Sequence, residues 1–466
     1  MRSHRTFIVG AALVLLTGAA FAQTMPTRDT IVATQLLPRS VKASLRRQAE
    51  RHESLAPAQR LALAQRMIEA GRANGDPRTL GYAEAVLAIW PGAGDDVPLD
   101  ALVLRATIEG SRHRFAAARA LLDRVLARAP AHAQALLTRA TLAQVSGDYT
   151  AARADCARLQ PLAADAAAIC RAAVDAMTGA NERALATARL AAARTMGAVR
   201  SWALAVQAQV LEGRGDMQGA AASYRAALMA ADDLPTRLAY ADLLLATGDA
   251  GATAGLLADA PETDGVLVRQ WQATRAQLRR AGRQKKPPQP VREAERAMRQ
   301  AIPAQRDAEL AQRDVEGTQR DAEGTRLDAE RTQPNLELAQ RNPEVAPRDV
   351  EGTQRDAELA QRHAELTQRE AELATRLQDR FAAAAARGEL LHVREAALFA
   401  LERGDATQAL ALARENWQTQ REVADLWLLA RAARAADDRA ALTDLRAWVA
   451  RTGLDDRRID DLLRGG

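Results

Sequence analysis

Residues 99–130 read LDALVLRATIEGSRHRFAAARALLDRVLARAP, and the alanine near their middle sets the scale of the whole fold. Ala118 is followed by Ala152, Ala186, Ala220 and Ala254, each 34 residues on. A fixed period near 34 marks stacked helix–turn–helix units, each too small to bury its own apolar face without a neighbour. Other positions keep the beat. Phe115, Tyr149 and Met217 precede their alanines by three, with one step skipped at Arg183. The turn pairs Gly147-Asp148 and Gly215-Asp216 lie 68 apart, and Gly248-Asp249 follows 33 later. The spacing predicts an all-α solenoid of helical hairpins in units of about 99–132, 133–166, 167–200, 201–234 and 235–267.

In this frame Ala106 and Ala140 stand where the two helices of a hairpin meet, and Pro130 closes the first unit. Small at position 8, Gly at 15, an aromatic at 17 and Ala at 20 resemble the tetratricopeptide repeat family. Val174 at position 8 and Arg183 at position 17 of the 167–200 unit depart from that pattern. The resemblance implies a right-handed superhelix that binds a protein or peptide segment on a concave face lined by the first helices. In the 34-residue frame, Thr107, Gly110, Leu137, Thr141, Gln144, Arg171, Asp175, Trp202, Gln209 and Glu212 would line it. That set is mixed and neutral-polar, without the repeated Lys/Asn pattern by which some relatives clamp a carboxylate. Trp202 would be its aromatic anchor if exposed, and a packing residue if buried between hairpins.

Composition agrees with a helical array. Of 466 residues 48% are hydrophobic but only 3% aromatic, so the apolar side chains are mainly Ala and Leu, which favour helix. Residues 1–22 read as a secretory signal. Arg2 and Arg5 precede an apolar run from Phe7 to Leu16, and Ala20-Phe21-Ala22 offers a cleavage site before Gln23. The run is short for a membrane span, and no other segment approaches 18 apolar residues. The expected product is a periplasmic or secreted protein; an uncleaved N-terminal anchor is the alternative. In an oxidising compartment Cys156 and Cys170, the only cysteines, suggest a disulfide between the second helix of one hairpin and the first helix of the next. Two buried free thiols are the other reading.

The chain divides on composition into a signal (1–22), a polar lead-in (23–56), the hairpin array (57–283), a Pro- and charge-rich insert (284–376) and C-terminal hairpins with a cap (377–466). The insert is a second repeat, of period seven, running from AQRDAEL at 304–310 to TQREAEL at 367–373. Its a/d seam is mostly Ala, Val and Thr, its leucines lie off the seam, and Pro334, Pro343 and Pro347 interrupt it, which argues against a coiled coil. Residues 304–380 carry 12 arginines against 18 acidic residues. They are expected to form two exposed helical stretches, about 304–330 and 353–380, around a disordered centre, as a solvated spacer. The missing second helix of the seventh hairpin is expected from about Leu377. The tail from Asp455 reads as a charged cap for the last hairpin.

Chemistry is hard to find. No histidine pair has metal spacing, none adjoins a cysteine, and there is no Gly-rich phosphate loop or nucleophile elbow. The acidic pairs Asp95-Asp96, Asp232-Asp233 and Asp437-Asp438 sit at expected turns. The arginines are scattered, with few aromatics to stack bases, which disfavours nucleic acid. The expectation is a non-catalytic scaffold for protein–protein interaction in the cell envelope, without cofactor or metal. The alternative is a structural accessory of an envelope export or assembly machine, for example in polysaccharide secretion.

Overall fold

The computed structural model describes residues 55–74, 77–92, 94–284, 345–386 and 392–464. The expected signal peptide, nearly all of the lead-in and the heptads before residue 345 lie outside them. The described residues form nineteen α-helices and no strand. They pair into nine hairpins: α1–α2 (Pro57–Asn74, Pro77–Leu87), α3–α4 (Leu99–Ser111, Phe115–Arg128) and α5–α6 (Ala133–Val145, Tyr149–Leu159) come first. Next are α7–α8 (Ala164–Ala176, Asn181–Arg194), α9–α10 (Gly197–Gly213, Met217–Ala230) and α11–α12 (Leu234–Ala246, Ala250–Leu256). The last are α13–α14 (Asp264–Gln284, Val345–Ala386), α15–α16 (Val393–Arg403, Ala406–Thr419) and α17–α18 (Val423–Ala435, Arg439–Thr452), followed by α19 (Arg457–Arg464). Each second helix packs on its own first helix, and nearly every first helix touches the next hairpin's first helix.

The Gly-Asp pairs make the turns within hairpins. Gly147, Gly215, Gly248 and Gly404 have φ between 79° and 90°, the left-handed region glycine enters without a Cβ clash. The following amide reaches back to close the first helix: Asp148 N–H donates to the Ala143 carbonyl at 2.8 Å, and Asp249 N–H to Leu244 at 2.8 Å. The same aspartates open the second helix. Asp148, Asp216, Asp249 and Asp405 each accept from the backbone N–H three residues on, at 2.9–3.1 Å. One dipeptide therefore ends one helix and begins the next. The last hairpin has Asp437 at the glycine position, with φ 52°. Asp437→Gly should therefore stabilise the protein by about 0.5–1 kcal/mol in urea unfolding, since its exposed pairing with Arg439 contributes little.

The turn also fixes the packing register, and here the 34-residue frame needs correction. Counting from the residue that caps each second helix, the residues eight before it are Ala106, Ala140, Ala172, Ala208, Ala241, Ala397 and Ala430, all 0–1% exposed. Those four after it are Ala118, Ala152, Ala184, Ala220, Thr253, Ala409 and Leu442, all buried. The constant is thus a spacing of 12 inside these seven hairpins, where first and second helix pack together. Between hairpins the step varies: the second helices α4, α6, α8, α10 and α12 begin at 115, 149, 181, 217 and 250. Ala186 is exposed and Ala254 only half-buried, so neither nests. The fourth hairpin has no departure at position 8, because Ala172 and not Val174 stands there. Position 17 is Asn181 and not Arg183. A two-residue shortening before α8 is recovered by the long α9.

The heptad tract departs from the expected spacer. Residues 345–386 are one continuous helix, with Pro347 in its first turn, where a missing N–H costs no helical bond. The helix is not exposed throughout. Leu359 is 42% exposed and Leu366 half-buried, whereas Leu373 and Leu377 are 4% and 0% exposed. Packing against α13 already includes Glu370, which accepts from Trp271 Nε1 at 2.7 Å, and continues through Arg380, paired with Asp264. Phe381 then meets Phe399 of α15 at 5.8 Å between ring centroids. The tail of the heptads is therefore structural.

Candidate functional site: the inner face and what covers it

Hairpin register decides which expected groove residues share a face. Thr107, Thr141 and Gln209 stand seven before their caps, and Gln144 and Glu212 four before, with Leu137 and Trp202 toward the N-terminal ends of α5 and α9. Arg171 and Asp175 belong to other faces, because the fourth hairpin sits out of the 34-residue frame. Arg171 is exposed beside Ala172. Asp175 is buried and receives Arg183 Nε at 2.7 Å and a second guanidinium N–H at 2.9 Å.

The remaining residues divide by accessibility. Thr141 and Gln209 are exposed, and Thr107 and Gln144 half-buried. The two threonine hydroxyls donate to carbonyls four residues back, at 3.0 Å. Leu137 and Trp202 are half-buried, and each packs against two hydrophobic clusters. One cluster joins Ala140, Tyr149, Cys156, Cys170, Val174 and Met177 of hairpins 3 and 4 to residues of α13–α19. Cys156 and Cys170 form a disulfide inside it, tying α6 to α7 with Cα atoms 5.8 Å apart.

That cluster exists because the array closes on itself. Loops after α16 and α18 meet the intra-hairpin turns of hairpins 2–5 in order. Gln420 Nε2 donates to His113 Nδ1 at 2.7 Å. Arg421 N–H donates to the Val145 carbonyl at 2.7 Å, and the Arg421 carbonyl accepts from Tyr149 Oη at 3.4 Å. At the fourth hairpin Gly179 lies so close to Gly453 that a Cβ would overlap its carbonyl oxygen. Asn181 Nδ2 donates to the Asp455 carbonyl at 2.7 Å. At the fifth, Arg458 pairs with Glu212, which also accepts from Tyr224 Oη at 3.2 Å. Burial pushes the Glu212 carboxyl up, against the opposing pull of Arg458. The charged tail therefore does more than cap: α19 covers α17 with Ile459 and Leu463 buried, and its leading residues bind hairpins 4 and 5. None of these contacts follows the repeat, so no periodic signal in the sequence announces them.

His113 is the histidine of this seam that Gln420 holds. Burial lowers its pKa, helped by His392 and Arg394 and opposed by Glu395 and Glu422. Gln420 can only donate to Nδ1, so the bonded form is neutral. Because the folded pKa lies below the unfolded value of about 6.5, the contribution of His113 is complete above that pH and is lost as pH falls through the lower folded value. Urea unfolding between pH 7.5 and 5.5 should show this slope, and His113→Gln should flatten it.

Among the described residues no group of three His, Cys, Asp or Glu could hold a metal ion, and no helix is long and apolar enough to cross a membrane. A cavity of about 390 Å³ between hairpins 1 and 2 is lined by Glu84, Arg105, Glu109 and Arg124. The hydrogen bond from Arg112 holds the Glu84 carboxyl below its ordinary value, so this carboxylate is paired and ionised, unsuited to act as a general acid near neutrality.

These hairpins define an all-α repeat architecture of stacked helical hairpins. No protein-family model matches the chain, and no curated protein does. It is similar to a solved tetratricopeptide repeat protein from Parabacteroides merdae, at 17% identity and TM-score 0.32 over 49% of this chain and 96% of that one. It is also similar to the tetratricopeptide domain of P58(IPK), at 12% identity and TM-score 0.22 over 78% of this chain and 96% of that one. At those scores the likeness adds no argument, and the architecture is read from the hairpins themselves.

Proposed function

We propose that this chain is a non-catalytic scaffold for protein–protein interaction, exported to the bacterial cell envelope and acting in the periplasm. The observation that carries the scaffold reading is the array itself: hairpins 2, 3 and 5 carry polar residues, Thr107, Thr141 and Gln209, at one register position of their first helices, where hairpin 4 has the buried Ala173. Repeat arrays use such extended surfaces to hold other chains. Export draws on the N-terminal sequence pattern, and a disulfide suits an oxidising compartment.

The closure of the array favours a second reading, a rigid spacer within an envelope export or assembly machine. Residue-specific cross-linking in the native envelope separates the two. A groove-binding scaffold should give one predominant neighbour whose cross-links disappear in the Thr141→Arg, Gln209→Arg double variant. Cross-links that survive this variant but vanish when a hairpin is deleted would favour the spacer, and cross-links only to cytoplasmic proteins would overturn the export reading.

A further inference from the structure

We propose that hairpins 8 and 9 with α19 form a latch that docks on the turn edge of hairpins 2–5 and releases as a folded unit. The occupant of that edge is thus the chain's own residues 392–464. This concerns regulation of the scaffold surface, and its purpose rests on the scaffold reading, although its existence does not.

The seam differs from the joints inside hairpins in the share of polar contacts that it carries. Hairpins nest internally through alanines buried 12 residues apart, an apolar contact with no polar partner to exchange. At the seam two loops, 420–422 and 453–458, meet four turns through hydrogen bonds and one ion pair, over an apolar contact in which Tyr149, Val174 and Met177 share one buried cluster with Trp448 and Leu454. Its aromatic element is Tyr149, edge-on to Trp448 at 6.4 Å; Trp448 also meets Trp417, inside the latch, at 5.1 Å. Polar contacts of this kind between parts of one chain resemble transient interfaces, for which relative motion is the default expectation. The partners are distant in sequence, Arg458 being 246 residues from Glu212 and Gln420 307 from His113. Leu426, Leu429, Ala430 and Ala433 of α17, Leu445 of α18 and Ile459 of α19 are buried in a cluster shared with hairpins 3, 4 and 7, and what the latch keeps when released is the packing of α15 on α16, α16 on α17, α17 on α18 and α17 on α19.

Fit at the seam is closest where Gly179 faces Gly453. Gly179 has φ 76°, and Gly248, at the equivalent turn of hairpin 6, has φ 82° with nothing within 4 Å of a built Cβ. Asparagine tolerates this backbone region better than other side chains, so Gly179→Asn and Gly248→Asn carry the same local strain. Only the first drives a side chain into the latch.

The test is hydrogen exchange and solution scattering on the full chain. In Gly179→Asn the Arg421 amide should exchange at least ten-fold faster than in the wild type, trypsin should cut after Arg421 and Arg458, and the radius of gyration should grow. Amides inside α5–α10 and inside α15–α18 should keep their protection. Gly248→Asn should match the wild type at Arg421. The proposal is overturned if the two variants behave alike at the seam, or if α17 and α18 lose protection together with Arg421, which would make hairpins 8 and 9 an integral part of one cooperative body.

Discussion

Asp425→Ala should lower the unfolding free energy by about 3–5 kcal/mol, the cost of removing one partner of a buried ion pair. The Asp425 side chain is fully buried and accepts from Arg394 Nε at 2.6 Å, Asn416 Nδ2 at 2.7 Å and the Glu422 N–H at 2.9 Å. It also completes the capping box that opens α17. Alanine would strand a buried amide, uncap the helix and leave the Arg394 guanidinium to the Gln420 side-chain oxygen and to Glu422, itself 48% exposed. Asp425→Asn keeps the volume and one acceptor, so a loss of about 1–3 kcal/mol is expected, near the value of a charged hydrogen bond. Urea unfolding followed at hairpin 9 by hydrogen exchange reads both. A loss under about 1 kcal/mol for the alanine variant would mean that water replaces the missing carboxylate.

Leu373→Ala should cost about 2–5 kcal/mol, whereas Leu359→Ala should stay within about 0.5 kcal/mol. The two leucines hold the same place in copies of one heptad, fourteen residues apart. Their sequence surroundings are nearly the same, AELAQRH against AELATRL. They differ in what they meet, Leu373 being 4% exposed in the cluster with Trp271 and Phe399 and Leu359 being 42% exposed. Thermal unfolding of both single variants checks the contrast. Equal, small effects would restore the solvated spacer for the whole tract.

That contrast shows where sequence reading stops. Near-identical heptads carry no mark of which copy lies beside α13, because burial depends on where α13 begins. The hairpin turns are legible for the opposite reason. Gly147-Asp148 and its equivalents need a left-handed residue followed by an acceptor, and few residue types satisfy either demand. The period of 34 was legible but not rigid: linkers between hairpins absorb insertions, so Ala186 keeps the beat without the contact. Arg171 and Asp175 were misplaced on the inner face by the same slip. The closure was invisible, since Asn181–Asp455 and Arg458–Glu212 join segments with no common pattern. Asn181 stands where hairpins 2 and 3 carry Phe115 and Tyr149, but Arg439 of hairpin 9 is polar at the same position, so the substitution alone does not mark the seam.

The claim on which the fold rests is that a buried pair recurs 12 residues apart in hairpins 2–6, 8 and 9, wherever the 34-residue beat falls. Ala184 and Ala186 separate the two, since both lie on α8 and only Ala184 is buried. Paired urea unfolding curves of Ala184→Leu and Ala186→Leu are the most direct measurement. A loss of about 1–3 kcal/mol for Ala184→Leu, with Ala186→Leu within about 0.5 kcal/mol of the wild type, is the expected result. The reverse order would contradict the hairpin register and everything placed by it.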